Sequence, residues 1–404
     1  MAKTKSAKSP KQSKKMANGD DRPKETPEQL YAATIDLVEQ SQFEDGLKKA
    51  KKLWNQVQNR SVTEALPAVN LLGEICVELG EIEEAMIYFE HAVSLDPEGK
   101  VPEAMGGGAE KFLWLAQLCE EGGKVSVDWY EKGVTALQHE IAAIESGQVK
   151  GLDKEALLLL RVEKKRKLAN ALCSIVEVYM TDLSWEEDAE ARCENLVTQA
   201  MTIEDETSPE VLQTLASVRL SQDRREEARS ALKRSLDTWK DLDPEDPAVP
   251  DFPTRISLAR LLMEAEMEKE AMQVLHRLVL DDDQSVEAWY LGGWCQRLIA
   301  EKLKEGTNGQ DASMTGEESA STDSALKGSR NWLRMALKLY DQLQYEDDRL
   351  HDHAQELVAE LDGILGPETK DAAGGAEDDE WEEWDGIEDG DEAEVDEDEI
   401  MEDS

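Results

Sequence analysis

The histidines and cysteines of this 404-residue chain are the side chains that most readily bind metals or act as nucleophiles and bases. The five cysteines are widely spaced and form no CxxC pair, and only two of the five histidines, His351 and His353, are close in sequence. On a helix, a spacing of two directs the rings to different faces, which suits no metal site. We therefore expect no metal and no cofactor, and we expect the cysteines to be reduced, buried thiols.

One glycine-rich stretch, "EAMGGGAEKF" at 103–112, is the nearest approach to a phosphate-binding loop. A phosphate cradle lies between a strand and a helix, and the sequence predicts no strand before these glycines. Neither a zinc-protease HExxH motif nor a nucleophile elbow occurs. The stretch is predicted to be a loop, and the chain is not expected to be an enzyme.

The carboxylates are the remaining candidates, because 90 acidic residues against 45 basic ones give a formal net charge of −45. Such a chain repels the phosphates of nucleic acids and most membrane surfaces and attracts basic partners. A general solubilising role explains a moderate acidic excess better than one of this size. We expect no direct nucleic acid binding, and the lack of a long apolar run predicts no membrane span and no secretory signal.

Composition divides the chain into three regions. Residues 1–25 carry six lysines within the first fifteen positions and are predicted to be a disordered basic arm, which serves either as a nuclear import signal or as a flexible tail. Residues 26–366 have apolar residues at helical spacing and no alternating strand pattern. Within them, the polar stretch 304–327 is predicted to be an inserted mobile loop.

The third region, 367–404, is predicted to be a disordered acidic tail, because 18 of its last 28 residues are Asp or Glu. Two tryptophans among these acids are unusual for a segment that only improves solubility. Aromatic rings amid acids can dock on a basic partner, or the tail can fold back on the chain's own lysines. The residues of the tail that we expect to bind are Trp381, Glu382, Glu383, Trp384 and Asp385.

The elements that must position these carboxylates follow from the stretch "LLGEICVELGEIEEAMIYFEHAVSLDP" at 71–97. Small residues stand at Gly73, Ala85 and Ala92, the large Phe89 stands between the alanines, and Gly80 lies where two helices would turn. Two helices that pack closely need small residues where their backbones approach and large ones where space remains. In a 34-residue frame that begins at Leu66, this pattern resembles the tetratricopeptide repeat, a helix-turn-helix unit.

The same frame recurs, in stronger or weaker form, along the whole middle region. A helical pair with an extended first helix occupies 153–205, and 350–365 has the pattern of a capping helix. The resemblance implies an all-α fold: a tetratricopeptide-repeat (TPR) α-solenoid superhelix of about seven units plus a C-terminal capping helix, flanked by disordered tails.

In such repeats the first helix of each unit lines a concave face, so the resemblance also predicts which side chains point inward. At those positions acids outnumber the two bases, Arg260 and Arg297, and aromatic rings occur among them. An acidic surface with aromatic rings suits Lys and Arg side chains, through ion pairs and cation–π contacts. The expected partner-binding residues are Tyr31, Glu39, Glu74, Glu78, Glu110, Glu120, Glu121, Glu210, Glu264, Glu287, Tyr290 and Trp294, with Glu28 at a further inward position.

The order of basic arm, TPR region and acidic tail with "WEEWDG" resembles the dedicated ribosomal-protein assembly chaperones, in particular the fungal chaperones of large-subunit ribosomal protein L four (uL-four). The resemblance implies that the concave face binds a basic internal loop of the newly made ribosomal protein, keeps it soluble and escorts it to the nucleus for assembly of the 60S subunit. It implies a cytoplasmic and nuclear protein, a monomer, with an import receptor as a further partner.

Three other functions stay open at this stage: a TPR scaffold, a chaperone of histones or other basic proteins, and an adaptor of a heat-shock chaperone. An adaptor that binds a terminal carboxylate needs a Lys/Asn/Arg clamp, and Glu74 stands where that clamp would want an amide. A scaffold would use outer ridges rather than charge, so the salt dependence of partner binding distinguishes it from a chaperone of basic proteins.

Overall fold

A computed structural model describes residues 25–204, 208–307 and 316–366 of the chain. Every regular element within these ranges is a helix, and the chain divides after Thr254 into two compact units. No helix of these ranges has the length and apolar character needed to cross a membrane. The predictions for the basic arm and the acidic tail, including Trp381 and Trp384, lie outside the described residues.

Unit 1 contains five pairs of consecutive helices, with a short 3-10 turn (Glu103–Met105) before the third pair. The helices are α1 (Pro27–Glu39), α2 (Phe43–Val57), α3 (Val62–Glu78), α4 (Ile82–Leu95), α5 (Glu110–Gln117), α6 (Gly123–Glu145), α7 (Lys154–Met180), α8 (Ala189–Ile203), α9 (Pro209–Ser221) and α10 (Arg225–Asp237). The two helices of each pair pack together, and several second helices also pack against the next first helix, as in α2 with α3 and α6 with α7.

Unit 2 holds two further pairs and a final helix, with its first turn beginning just before the division. Its helices are α11 (Phe252–Glu264), α12 (Glu268–Asp281), α13 (Val286–Thr307), α14 (Gly316–Leu343) and α15 (Asp348–Leu365). The last helix packs mainly on α14 and also touches α13. Seven pairs and a capping helix in the described residues confirm the predicted all-α repeat fold.

The small and large residues of the repeat meet as predicted. A Cβ atom added to Gly73 of α3 would lie 2.7 Å from the ring of Phe89 on α4, and Ala85 and Ala92 are fully buried. The last pair shows the same fit, because Ser329 of α14 donates a hydrogen bond of 2.7 Å to the carbonyl oxygen of Gly293 on α13. The absence of a side chain on the first helix is what lets the second helix approach.

The polar insertion is shorter than the loop predicted over 304–327. Helix α13 continues to Thr307 and α14 begins at Gly316, so both ends of the predicted loop are helical. Polar side chains on the exposed face of a helix resemble those of a loop in composition. From Leu326 onward α14 also carries buried apolar residues that pack in unit 2, and this packing favours the helix.

Two helices begin at a proline that follows a residue able to cap a helix. Thr26 caps α1, and its hydroxyl accepts a hydrogen bond of 3.3 Å from the backbone N–H of Gln29. Ser208 precedes α9 with extended backbone angles, but its hydroxyl donates instead to the carboxylate of Glu210, at 2.9 Å. The same pair of residue types therefore starts the two helices through different side-chain contacts.

The glycine-rich stretch forms a loop, as predicted, and a buried ion pair anchors it. Gly106 and Gly108 have φ angles of +76° and +85°, which favour glycine. The Nζ of Lys111, 1% exposed, lies 2.9 Å from Oδ2 of Asp96 and donates to the carbonyl oxygen of Gly108 at 2.7 Å. The loop is thereby tied to the end of α4 and sets the start of α5.

Candidate partner-binding surface

Three predicted residues, on the first helices of three successive pairs, lie close enough to influence one another. Tyr31 of α1 is 38% exposed, and both burial and the charge of Glu74 on α3 raise the pKa of its hydroxyl. Glu110 of α5 acts in turn on Glu74. The sequence placed these side chains on the inner face of different repeats, and the structure brings them into one neighbourhood.

Two residues of α7 extend this neighbourhood to a fourth helix pair. The Nζ of Lys167 lies 2.5 Å from a carboxylate oxygen of Glu110 and 3.2 Å from one of Glu163. Both carboxylates raise the pKa of Lys167, so this lysine stays charged. We call Glu74, Glu110, Glu163, Lys167 and Tyr31 the acidic cluster; its three carboxylates outnumber its one cation.

Sequence reasoning missed Lys167 and Glu163 because the unit at 153–205 could not be placed in the repeat frame. Its first helix has 27 residues, so inward positions could not be counted from its start. Positions 163, 167 and 177 share one face of that helix. A signal was present nonetheless: Glu163, Lys167 and Glu177 recur at intervals of four and ten residues.

Glu74 has the most altered carboxylate of the acidic cluster. Its side chain reaches solvent, yet desolvation by the surrounding protein, with a smaller contribution from the charge of Glu110, raises its pKa to about 7. Glu74 is thus accessible to a partner and partly desolvated by neighbouring protein. This region of unit 1 therefore combines access for a partner with negative charges that repel each other.

The other predicted acids of unit 1 lie on or near first helices but outside the acidic cluster. Glu39 and Glu78 are exposed at the last residues of α1 and α3, and Glu28 is exposed in the first turn of α1. Glu210, in the first turn of α9, accepts the hydrogen bond from Ser208. Nothing measured in the structure assigns these four residues to a binding surface, and their role stays a prediction.

The placement of Glu120 and Glu121 on a first helix was wrong. Helix α5 ends at Gln117, and both residues are exposed in the turn before α6. Gly122 and Gly123 follow with φ angles of +59° and +52°, and the backbone N–H of Gly123 donates to the carboxylate of Asp182 at 2.9 Å. This glycine pair begins α6 and ties the turn to the connection after α7.

In unit 2 one of the two predicted acids is paired with an arginine. Arg260 of α11 lies 2.5 Å from a carboxylate oxygen of Glu287 in the first turn of α13. Glu264 is exposed one turn after Arg260. The acidic character predicted for all first helices is therefore weaker in this unit.

The predicted aromatic residues of unit 2 are partly covered by the capping helix. Tyr290 is only 8% exposed, and its hydroxyl lies 2.7 Å from Nδ1 of His353 on α15. The rings of His353 and half-buried Trp294 meet edge to face at 5.3 Å. Tyr290 is thus a structural contact of α15, whereas Trp294 keeps part of its ring accessible.

Beside these rings lies a cleft with a volume of about 540 Å³, bounded by α11, α13 and the start of α15. Its apolar lining consists of Met263, Tyr290, Leu291, Trp294, Leu298 and Leu350, and its polar lining consists of Arg260, Glu264, Asp347 and Arg349. Glu264, Tyr290 and Trp294, which were predicted to lie on the inner face, all line this one cleft.

One group of thiol and carboxylate atoms in the described residues has the spacing of a possible metal site: Cys76, Glu81 and Glu84. Burial raises the pKa of the Cys76 thiol to about 11, and the thiol donates to a carboxylate oxygen of Glu81 at 3.8 Å. Glu84 lies 3.7 Å from Nζ of Lys51. In the free chain this group is a weak thiol–carboxylate hydrogen bond beside an ion pair.

Comparison with known proteins gives a consistent result. A family model of the tetratricopeptide repeat matches residues 66–98. A probable assembly chaperone of rpl4 from Emericella nidulans is 48% identical over 368 residues, which is 90% of this chain and 89% of that protein. A second, from Schizosaccharomyces pombe, is 34% identical over 328 residues, 81% of this chain and 89% of that protein.

One similar solved structure is also of an assembly chaperone of RpL4. A structure of residues 1–338 of the assembly chaperone of RpL4, Acl4, is 47% identical to this chain, with a TM-score of 0.64. The similarity covers 70% of this chain and 99% of the solved one.

Proposed function

The chain belongs to the family of the assembly chaperones of rpl4, and we propose that it binds this ribosomal protein with its acidic cluster. Ribosomal proteins that bind RNA are basic, and outside the ribosome such a protein binds stray RNA and aggregates. A dedicated chaperone protects it by covering its cationic segments. The chaperone role needs no catalytic step and no nucleotide.

The observation that carries this proposal is the excess of carboxylates in the acidic cluster, where Glu74 is exposed and Glu110 and Glu163 share the single cation Lys167. Desolvation by the surrounding protein, and to a smaller extent repulsion by Glu110, raise the pKa of Glu74 and so disfavour its ionised form in the free chain. A lysine or arginine side chain placed beside these carboxylates offsets both effects by forming an ion pair at a partly desolvated site. The charge of the cluster is therefore complementary to that of a cationic segment.

The same electrostatics describe how the partner is captured and released. A strongly negative chain accelerates association with a cationic partner, by about 10- to 1000-fold at low salt. Ribosomal RNA carries a denser negative charge and competes for the same cationic segment, so transfer to RNA needs no energy source. Escort from the cytoplasm to the nucleus, with the N-terminal lysines read by an import receptor, belongs to the same proposal.

Charge reversal on the first helix of the second pair tests the proposal. Glu74→Lys is expected to weaken the binding of purified rpl4 by about tenfold or more, because one attraction is lost and one repulsion is added. Glu90→Lys is the matched control: it makes the same charge change on an exposed position of α4, the second helix of that pair. Equal effects of the two variants would show that only net charge matters and would contradict the proposed surface.

A further inference from the structure

The cleft of unit 2 differs in chemistry from the acidic cluster of unit 1. Its floor is apolar: Met263, Leu291 and Leu350 are at most 7% exposed, and the accessible part of Trp294 lies among them. Of its four polar lining residues, two are arginines and two are carboxylates, so their formal charges cancel. A cationic segment gains little from such a site.

Carboxylates in and beside the cleft already make ion pairs or hydrogen bonds with other groups of this chain. Arg260 pairs with Glu287 next to the cleft, at 2.5 Å. An oxygen of Asp347 accepts hydrogen bonds from the backbone N–H groups of Arg349 and Leu350, at 3.1 and 3.0 Å, and so caps α15. Glu264 is the lining carboxylate outside these contacts, and it shares the cleft with both arginines. An arriving lysine or arginine would meet the like charge of Arg349 and the already paired Arg260 and Glu287.

The floor of the cleft is fixed in place by the capping helix. His353 holds the hydroxyl of Tyr290 and packs edge to face against Trp294, and Arg297 of α13 pairs with Glu360 of α15 at 2.9 Å. A rigid aromatic wall beside a preformed hollow is the arrangement that receives an anchoring side chain in protein interfaces.

We propose that the cleft between α11, α13 and α15 takes an apolar side chain, aromatic or large aliphatic, of the same ribosomal protein. The inference rests on the proposed function, and it divides recognition between two chemistries. The acidic cluster attracts cationic residues, while the cleft takes an anchor that is indifferent to salt. A rim without net charge does not favour a charged side chain over an uncharged one. Burial of an apolar side chain against the apolar floor is favourable because it removes apolar surface from water.

The test compares affinities for purified rpl4 across a series of salt concentrations. Trp294→Ala is expected to weaken binding about tenfold at every salt concentration, while the slope of log Kd against log salt stays that of the unmodified chain. Glu74→Lys is expected to reduce that slope. Trp185→Ala is the matched control, because Trp185 is 73% exposed in the connection between α7 and α8, and it is expected to change nothing.

Leu298→Lys is a second variant, in case the loss of the Trp294 ring unfolds α15; thermal melting of each variant reports on folding. A lysine on the half-buried Leu298 places a charge where the proposal puts an apolar guest, and about tenfold weaker binding is expected. Unchanged affinity of folded variants would overturn the inference, as would a reduced salt slope, which would mean a cationic guest. Failure of the unmodified chain to bind rpl4 would instead remove the proposed function, and this inference with it.

Discussion

Two charged residues of unit 1 show how much a side chain's surroundings decide its role. Glu74 is accessible and acidic, but desolvation by neighbouring protein and the charge of Glu110 raise its pKa. Lys111 is inaccessible and basic, and it is held by a full set of partners in the loop that it anchors. The unfavourable environment of Glu74 can be relieved by a cationic partner. The charge of Lys111 is already compensated within the fold.

The pKa of Glu74 predicts that binding strengthens as the pH rises. The free chain has this pKa at about 7, and a cationic partner should return it toward the ordinary value of 4.5. Since the ionised form binds better, a proton leaves on binding, and affinity should rise about tenfold at most between pH 6 and pH 8. Isothermal titration calorimetry of rpl4 binding, in buffers of different ionisation enthalpy, measures the released proton directly.

Glu74→Gln is the control for this pH dependence, since glutamine fits the same position without titrating. The variant should bind more weakly than the unmodified chain at pH 8, with little change between pH 6 and pH 8. If the unmodified chain and the variant show the same pH dependence, another group carries it and the role given to Glu74 is wrong.

Lys111→Met should destabilise unit 1 by about 3 kcal/mol, because breaking a buried ion pair leaves the other charge without its counter-charge. Asp96 would keep two hydrogen bonds, from the backbone N–H groups of Lys100 and Val101, which limits the loss. Urea unfolding followed by circular dichroism gives the free energy. Lys100→Met, which removes an exposed lysine paired with Glu98, should change it by less than about 0.5 kcal/mol; a comparable loss in both variants would contradict the account.

The acidic cluster shows which part of a site can be predicted from sequence. Glu74 and Glu110 were predicted because an inward position is a property of the repeat, which local spacing reveals. The neutralising Lys167 was not, since its distance to Glu110 depends on how α7 crosses α5, 57 residues earlier. Likewise, the rings of Tyr290 and Trp294 were predicted on the inner face, but their cover by His353 depends on where the capping helix docks.

At the scale of helices, the fit of glycine against a large side chain decides how closely a pair can pack. Gly73 has ordinary helical angles, so glycine is needed there because it has no side chain. The space that a Cβ atom would take is filled by the ring of Phe89, which is 1% exposed. Gly363 of α15 is the opposite case, because a Cβ there would meet no atom within 4 Å. One glycine is required by packing, and the other only weakens its helix.

The two glycines therefore predict opposite results for the same substitution. Gly73→Ala should destabilise the chain by about 1–2 kcal/mol, since overpacking against a buried ring outweighs the better helix propensity of alanine. Gly363→Ala should stabilise it by about 0.5–1 kcal/mol through propensity alone. Differential scanning calorimetry of both variants is the measurement, and a stabilised Gly73→Ala would show that Phe89 can move aside.

The helices themselves were predictable to the extent that their two faces differ in polarity. The pair α3 and α4 was assigned from its alternation of small and large residues, and its turn at Gly80 is where the sequence put it. The polar start of α14 carries no such contrast, so the inserted loop was drawn too long. Glu120 and Glu121 were misplaced for another reason: α5 ends at Gln117, and the turn that holds them leads into α6 at Gly123, which bonds to Asp182, 59 residues away in the sequence.

At the scale of the whole molecule, the net charge attracts or repels other molecules over distances longer than those of direct contacts. The last 28 residues hold 18 acids, and the remaining chain still carries an excess of 27 negative charges out of the total of 45. Such a field attracts a cationic partner before any surface contact forms, and it weakens as salt is added. Affinity in this chain should therefore depend on charge mainly through the rate of association, and on local fit through the rate of dissociation.

A full-length variant in which the 18 acids from Glu377 onward become Gln or Asn separates the two rates. At low salt its association rate with rpl4 should fall several-fold, up to about tenfold, because the long-range attraction is smaller. Its dissociation rate should stay within about twofold of the unmodified value if the bound partner is held by the acidic cluster and the cleft. Stopped-flow fluorescence at two salt concentrations measures both rates, and the difference in association should vanish at high salt. A faster dissociation that persists at high salt would mean that the acidic tail itself contacts the bound ribosomal protein, with Trp381 and Trp384 as the residues to substitute next.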